Sequence, residues 1–312
     1  MLMKNSFFYL AIIIIFLVSC DTTPKVSSKS FIIDNPTSAT ITVKIDEQDY
    51  KIPSNSSVTT TLDFGKHSMT YNGEKVNFFV KPNDQNCIIN PTLSNYYLYH
   101  EIYLVKGAEN VTEDKLKYTD DYLYPYVKPN GDTINVPFLL ISNTLFIEQY
   151  QYYWHFDMDH PFVDINSKVD EKEKKLMEEY IKTLFKSKIF REHDFLEYVK
   201  DKGIDLPEGF IKSEKYKLSN LPAYEFISQD VIDSCPLFKN DLKSIKSSFD
   251  SLQIMTDKAR AYKLISYELN NRLNDVRIGV IRQNNQSCDF NKIDMLTKRK
   301  PSFGEMNAYI VK

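Results

Sequence analysis

Residues 41–80 read ITVKIDEQDYKIPSNSSVTTTLDFGKHSMTYNGEKVNFFV and decide the fold of the N-terminal part. Apolar and polar residues alternate in runs such as Ile41–Ile45, and turn-forming residues separate the runs. A period of two places successive side chains on opposite faces of a strand, one buried and one in water. Asn72-Gly73 stands between two of these runs, and both central positions of a type I′ turn need positive φ. The pattern predicts an antiparallel β-module with a hairpin at Asn72-Gly73.

The same stretch carries a resemblance to a known class of module. It contains a Thr-Val-Lys-Ile-Asp strand at 42–46, a turn at Ile52-Pro53 and the sequence Gly65-Lys66-His67. This succession resembles the small immunoglobulin-like or PEGA-type β-modules of bacterial surface proteins. The resemblance implies an exported, sandwich-like module that presents or spaces something and carries no catalytic residues. We expect it to cover residues 31–108.

The C-terminal part changes to the period of a helix. Apolar residues recur there at intervals of three and four, which is typical of amphipathic helices. The predicted helices are Leu176–Phe185, a short helix with Phe195 and Val199 that ends at Gly203, Leu237–Leu252 and Asp257–Val276. Ile278–Ile281 and Tyr309–Val311 are predicted as short strands. The fold class is therefore α+β: an antiparallel sandwich-like module, then an aromatic-rich junction and a mainly helical part over residues 109–312.

The N-terminus predicts where the protein is located. A twelve-residue apolar run, Phe7–Val18, follows Lys4 and is too short to span a bilayer of ~30 Å, so it indicates a secretory signal peptide. Leu17-Val18-Ser19-Cys20 resembles the lipobox of bacterial lipoproteins. The resemblance implies that residues 1–19 are removed, that Cys20 carries acyl chains such as palmitate, and that residues 20–30 include a flexible spacer. The body is then expected at a bacterial membrane, facing the periplasm or the cell surface.

Composition excludes several classes of function. Hydrophobic residues make up 42% of the 312 residues against a net charge of −3, so the chain can bury a core and offers no basic field for nucleic acid. Glycine occurs only 8 times, and no glycine-rich phosphate loop is present. We therefore predict no nucleotide partner and no cofactor.

Aromatic residues concentrate between residues 96 and 162, where they occupy 16 of 67 positions. Tyrosine and tryptophan have flat apolar faces with a polar edge, which suit a sugar ring or a protein partner. The alternative is a core of large residues with tyrosine hydroxyls that reach the surface. The candidate binding residues are Tyr122, Tyr124, Tyr126, Tyr152, Tyr153 and Trp154.

One dense polar cluster follows directly, His155-Phe156-Asp157-Met158-Asp159-His160. It resembles the H-x-H-x-D-H motif of metallo-β-lactamase-like hydrolases, with Asp157 at the position of the second histidine. Imidazole and carboxylate groups are common ligands of divalent metals, so His155, Asp157, Asp159 and His160 form a candidate metal site. The alternative is a strand with Trp154, Phe156 and Met158 on a buried face and the polar residues in water.

Three cysteines remain besides Cys20. An exported chain can form disulfides, and Cys235 and Cys288 flank the predicted helices, so they are a candidate pair. Spacing alone does not show whether the two residues approach each other. Cys87 is interpreted as a small buried apolar residue.

Two functions follow from these observations. The first is a lipid-anchored envelope protein with a non-catalytic binding or structural role, whose partner is an envelope protein or a glycan. The alternative is a metal-assisted hydrolase that uses the His155 to His160 cluster. The sequence favours the first, because the metal-ligand pattern is incomplete.

Overall fold

The computed structural model describes residues 28–83, 85–104, 123–161, 183–210, 215–252, 259–283, 288–298 and 306–312. The predicted signal peptide, Cys20 and residues 21–27 of the predicted spacer lie outside these ranges, whereas residues 28–30 of that spacer begin a strand rather than a flexible segment. The fold is α+β, with a sandwich-like N-terminal part and helices in the C-terminal part.

Two sheets form the sandwich. The first has the order β12-β7-β1-β4, with β1 (Ser28–Asn35), β4 (Ser56–Asp63), β7 (Cys87–Ile89) and β12 (Phe146–Glu148). The second has the order β14-β6-β5-β2-β3, with β2 (Ile41–Ile45), β3 (Gln48–Ile52), β5 (Gly65–Tyr71), β6 (Glu74–Val80) and β14 (Ala308–Val311). All pairs are antiparallel except β1 with β7.

The period-two pattern explains the core of the sandwich. Along β2 the residues alternate between buried and exposed, and Val43 meets Phe31 and Ile33 of the opposite sheet in one buried cluster. Asn72 and Gly73 have φ of 50° and 77°, which confirms the predicted hairpin turn between β5 and β6. The residues that seal this core therefore come from both sheets.

A third sheet carries the aromatic region. It has the order β11-β8-β13, with β8 (Tyr96–Leu104), β11 (Phe138–Ile141) and β13 (Thr183–Arg191). A separate hairpin joins β9 (Tyr124–Val127) to β10 (Thr133–Val136). Tyr97, Phe138 and Phe190 pack against Phe195 of the following helix in a buried aromatic cluster.

Four of the six described helices cover the outer face of the second sheet. The six helices are α1 (Gln149–Tyr152), α2 (Glu192–Asp201), α3 (Gln229–Asp233), α4 (Lys239–Leu252), α5 (Ala259–Arg282) and α6 (Phe290–Lys298). Of these, α3 to α6 share a core with Phe79 of β6 and Tyr309 of β14, whereas Phe78 faces the sandwich. The second sheet is thus a middle layer. A disulfide joins Cys235, at the C-terminal side of α3, to Cys288 before α6, and Cys87 is a free buried thiol.

The helix predictions around residues 195–199, 237–252 and 259–276 are confirmed, and β14 confirms the strand at Tyr309–Val311. Two predictions are wrong. Ile278–Ile281 is the last turn of α5 rather than a strand, because Val280 is buried in the helical core and the helix continues to Arg282. Leu184 and Phe185 belong to the predicted helix Leu176–Phe185, but they lie in β13, which pairs with β8 along its whole length. Residues 176–182 of that stripe lie outside the described ranges.

A buried ion pair joins the sandwich to the third sheet. Asp34 of β1 is 0% exposed, and Arg191 at the end of β13 donates to it from Nη2 at 2.6 Å and from Nε at 3.1 Å. The Tyr96 hydroxyl donates to the same carboxylate at 2.5 Å. Arg191 also reaches Asp159 at 2.6 Å, and Asp159 accepts from Ser57 at 2.5 Å. Three separate parts of the chain therefore meet at one guanidinium.

We predict that Arg191→Met lowers the free energy of unfolding by about 3–5 kcal/mol, because it leaves the Asp34 carboxylate buried without its cation. Urea unfolding followed by circular dichroism measures this loss. Lys239→Met is the control, since it removes an exposed ion pair with Asp233 and should leave stability unchanged within error. Equal losses in the two variants would contradict the assigned role of Arg191.

Candidate functional site

The structure places the predicted aromatic residues in different environments. Tyr124 is half-buried on β9, and its hydroxyl donates to Nε2 of His100 at 2.9 Å, or accepts from it in the other tautomer. Tyr126 donates to the Glu208 carbonyl at 2.8 Å. Trp154 is buried at 4% exposure, and Tyr122 lies outside the described residues.

These residues do not form one recognition surface. Tyr124 and Tyr152 pack against the buried cluster that contains Trp154, together with Tyr96 and Leu98 of β8. Tyr126 belongs to the aromatic cluster around Phe195. Tyr153 is 48% exposed, adopts a φ of 50° and caps α1. The structure therefore brings three of the six together, but in a core.

The contact between His100 and Tyr124 has an electrostatic consequence. Burial lowers the pKa of His100 to about 4, and the nearby His155 acts in the same direction. Burial also raises the pKa of Tyr124 to about 12. Both groups are uncharged at neutral pH, so the pair is a neutral hydrogen bond.

We predict that His100 makes the protein less stable as the pH falls from 6.5 to 4. In this window the unfolded chain binds the proton and the folded chain does not, so stability rises with pH. The contribution is about 1–2 kcal/mol after allowance for the partial exposure of the ring. The measurement is the difference in unfolding free energy between wild type and His100→Gln at pH 4 and pH 7. His193→Gln replaces an exposed histidine of α2 and is the matched control, and an equal change of the pH dependence in both variants would contradict the role of His100.

The polar cluster at His155 to His160 lies along the free edge of β13. Ser187 and His155 are joined by a hydrogen bond of 2.8 Å, and Phe156 forms a parallel bridge with Lys188. The buried Lys188 ammonium donates to the carbonyls of Asp157 at 2.6 Å and His160 at 2.5 Å. These contacts fasten the segment to the third sheet.

The candidate metal ligands have other hydrogen-bond partners. Oδ1 of Asp157 is bonded to Nδ1 of His160 at 2.7 Å and accepts from the backbone amides of Asp159 and His160. Asp159 is bound by Arg191 and Ser57. Within the described ranges, no three histidine, cysteine or acidic side chains form a group that could hold a metal ion.

We predict that the purified protein carries less than stoichiometric zinc or manganese, because Asp157 already accepts three hydrogen bonds and Asp159 is bound by Arg191 and Ser57. Elemental analysis of wild type and Asp157→Ala provides the measurement, and Asp205→Ala is the matched control. One bound metal per chain that is lost only in Asp157→Ala would favour the metal-assisted hydrolase over the non-catalytic binding protein.

A cleft of about 460 Å³ lies at an edge of both sandwich sheets. β12 is the edge strand of the first sheet and β14 that of the second, and the segment 221–228 forms the third side. Apolar side chains line most of it, among them Phe146, Tyr224 and Ile310. Its volume falls in the range of small-ligand sites, about 300–1,000 Å³.

Glu148 joins the two walls of the cleft. Its carboxylate, on β12, accepts hydrogen bonds from the backbone amides of Asn307 at 2.8 Å and Ala308 at 3.2 Å, and from the side-chain amide of Asn307. Burial raises the pKa of Glu148, while the Asn307 and Ala308 donors and the charge of Lys81 act in the opposite direction. One side chain therefore links the edges of both sheets.

Sequence reasoning missed this cleft and Glu148. The available signal was an acidic residue directly after the apolar run Leu145-Phe146-Ile147, at the end of a buried strand. The other walls come from residues 221–228 and 306–310, and the sequence does not show that they meet β12.

Comparison with protein-family models, curated proteins and solved structures finds no match to this chain. In the part of the chain that the structure describes, none of the helices combines the length and apolar character needed to cross a bilayer.

Proposed function

We propose that this chain is a lipid-anchored protein of a bacterial cell envelope whose body has a non-catalytic binding role. The observation that carries the proposal is the sequence Leu17-Val18-Ser19-Cys20 at the end of a short apolar run. Several acyl chains on one cysteine would hold the body at a membrane, whereas one chain binds only marginally.

The cleft supports the binding part of the proposal. It is a concave surface with mostly apolar walls and a few polar groups, which is the usual form of a ligand site. The partner is an envelope protein or a glycan. The lining of the cleft includes none of the four aromatic residues Tyr124, Tyr126, Tyr152 and Trp154, which pack instead in clusters with residues of the third sheet.

We predict that Cys20→Ala abolishes labelling by palmitate and moves the protein from the membrane fraction to the soluble fraction. The reason is that this thiol is the proposed acceptor of the acyl chains, and its removal leaves the folded body unchanged. The measurements are metabolic labelling, membrane fractionation and the melting temperature of the body.

The matched control is Cys87→Ala, which removes a buried thiol of the first sheet and should keep both the label and the membrane location. If Cys20→Ala stays labelled and bound to the membrane, the lipoprotein proposal is wrong.

A further inference from the structure

The chain contains two Asn-Gly pairs, Asn72-Gly73 and Asn130-Gly131, and all four residues are exposed. The first pair forms the turn between β5 and β6, and the second lies in the turn between β9 and β10. Glycine has no side chain to keep its amide nitrogen away from the carboxamide of the preceding asparagine. Both pairs are therefore candidates for a spontaneous reaction between these two groups.

The reaction is deamidation through a cyclic imide. The glycine amide loses its proton and its nitrogen forms a bond to Cγ of the asparagine. The bond between Cγ and Nδ2 breaks, and the side-chain nitrogen leaves as ammonia. Water then adds to one of the two imide carbonyls and opens the ring. One opening gives aspartate, and the other gives isoaspartate, in which the main chain runs through the side-chain carbonyl carbon.

Hydrogen bonds hold the second pair in an unreactive arrangement. The Gly131 amide donates to the Lys128 carbonyl at 2.9 Å, so the attacking nitrogen is engaged. Oδ1 of Asn130 accepts from the Asp132 amide at 3.1 Å, and Nδ2 donates to the Asp132 carboxylate at 2.8 Å. The nitrogen and the carboxamide must both leave these partners before they can react.

The first pair has no such restraint. Tyr71 and Glu74 are paired at the ends of β5 and β6, and Asn72 and Gly73 form the two-residue loop between them. Within the residues that the structure describes, no hydrogen bond engages the Asn72 side chain or the Gly73 amide. The two pairs therefore share a sequence and an exposed position but differ in their hydrogen bonds.

We propose that Asn72 is a site of spontaneous deamidation in the folded protein and that hydrogen bonds protect Asn130. The aspartate product keeps the turn, because aspartate also tolerates the left-handed conformation in which Asn72 has a φ of 50°. The isoaspartate product adds one methylene to the main chain of a two-residue loop, so the hairpin no longer closes in the same geometry. The modification therefore acts on the middle layer of the fold.

The experiment follows the full mature protein during incubation at mildly alkaline pH. Anion exchange separates the deamidated molecules, since each gains a carboxylate, and peptide mapping by mass spectrometry assigns the position. A methyltransferase specific for isoaspartate measures the isoaspartate fraction. We expect Asn72 to react about tenfold or more faster than Asn130, because each hydrogen bond that must open costs roughly a factor of five. In concentrated urea the two rates should become similar, because both turns are lost.

Two variants test the assigned causes. Asp132→Ala removes the carboxylate that binds Nδ2 of Asn130, and it should raise the rate at Asn130 several-fold while the rate at Asn72 stays unchanged. Asn72→Asp supplies the aspartate product directly and should keep the melting temperature of wild type. The fraction of wild type that contains isoaspartate should melt at a lower temperature.

Three results would overturn the proposal. These are equal rates at Asn72 and Asn130 in the folded protein, a ratio of the two rates that is no larger in the folded protein than in urea, and deamidation of Asn72 without isoaspartate. The reaction requires neither an acyl chain on Cys20 nor a ligand, so its failure is distinguishable from failure of the proposed function.

Discussion

The pairing of Arg191 with Asp34 is the constraint on which the arrangement of the sheets depends. A guanidinium buried at 5% exposure must have its charge compensated, and Asp34, fully buried on another sheet, supplies the compensation. Because Asp159 accepts from the same guanidinium, the segment after Trp154 is fixed by the same charge. The relative position of the sandwich and the third sheet is therefore specified by directional bonds as well as by apolar packing.

Glu148 has the corresponding role at the edge of the sandwich that β12 and β14 form. It satisfies amides of Asn307 and Ala308 that would otherwise be buried without an acceptor. The cleft beside it exists because neither sheet continues beyond this point. The link that Glu148 makes between β12 and β14 therefore lies beside the cleft. A ligand in the cleft would contact the two strands whose separation Glu148 sets.

The sequence predicts those parts of the fold that local patterns control. The alternation in Ile41–Ile45 and the turn at Asn72-Gly73 give the hairpins, and the apolar periodicity of α4 gives that helix. Prediction from the sequence fails where pairing with a distant strand determines the structure. Leu184 and Phe185 fit the apolar stripe of a helix, but their backbone pairs with β8. The cleft belongs to this second kind, since β12 and β14 are brought together only by the complete fold.

The pairing of β14 with β6 has a consequence for the time course of folding. The two strands are separated by most of the chain, yet they are neighbours in the middle layer. Loop closure over such a separation is slow, and the helices that cover Phe79 and Tyr309 need a completed sheet to pack against. The N-terminal hairpins can form early during synthesis, but the edge of β6 stays exposed until β14 has been synthesised and has paired with it. An exposed strand edge is a site for aggregation, so a chaperone would act on this protein during that interval.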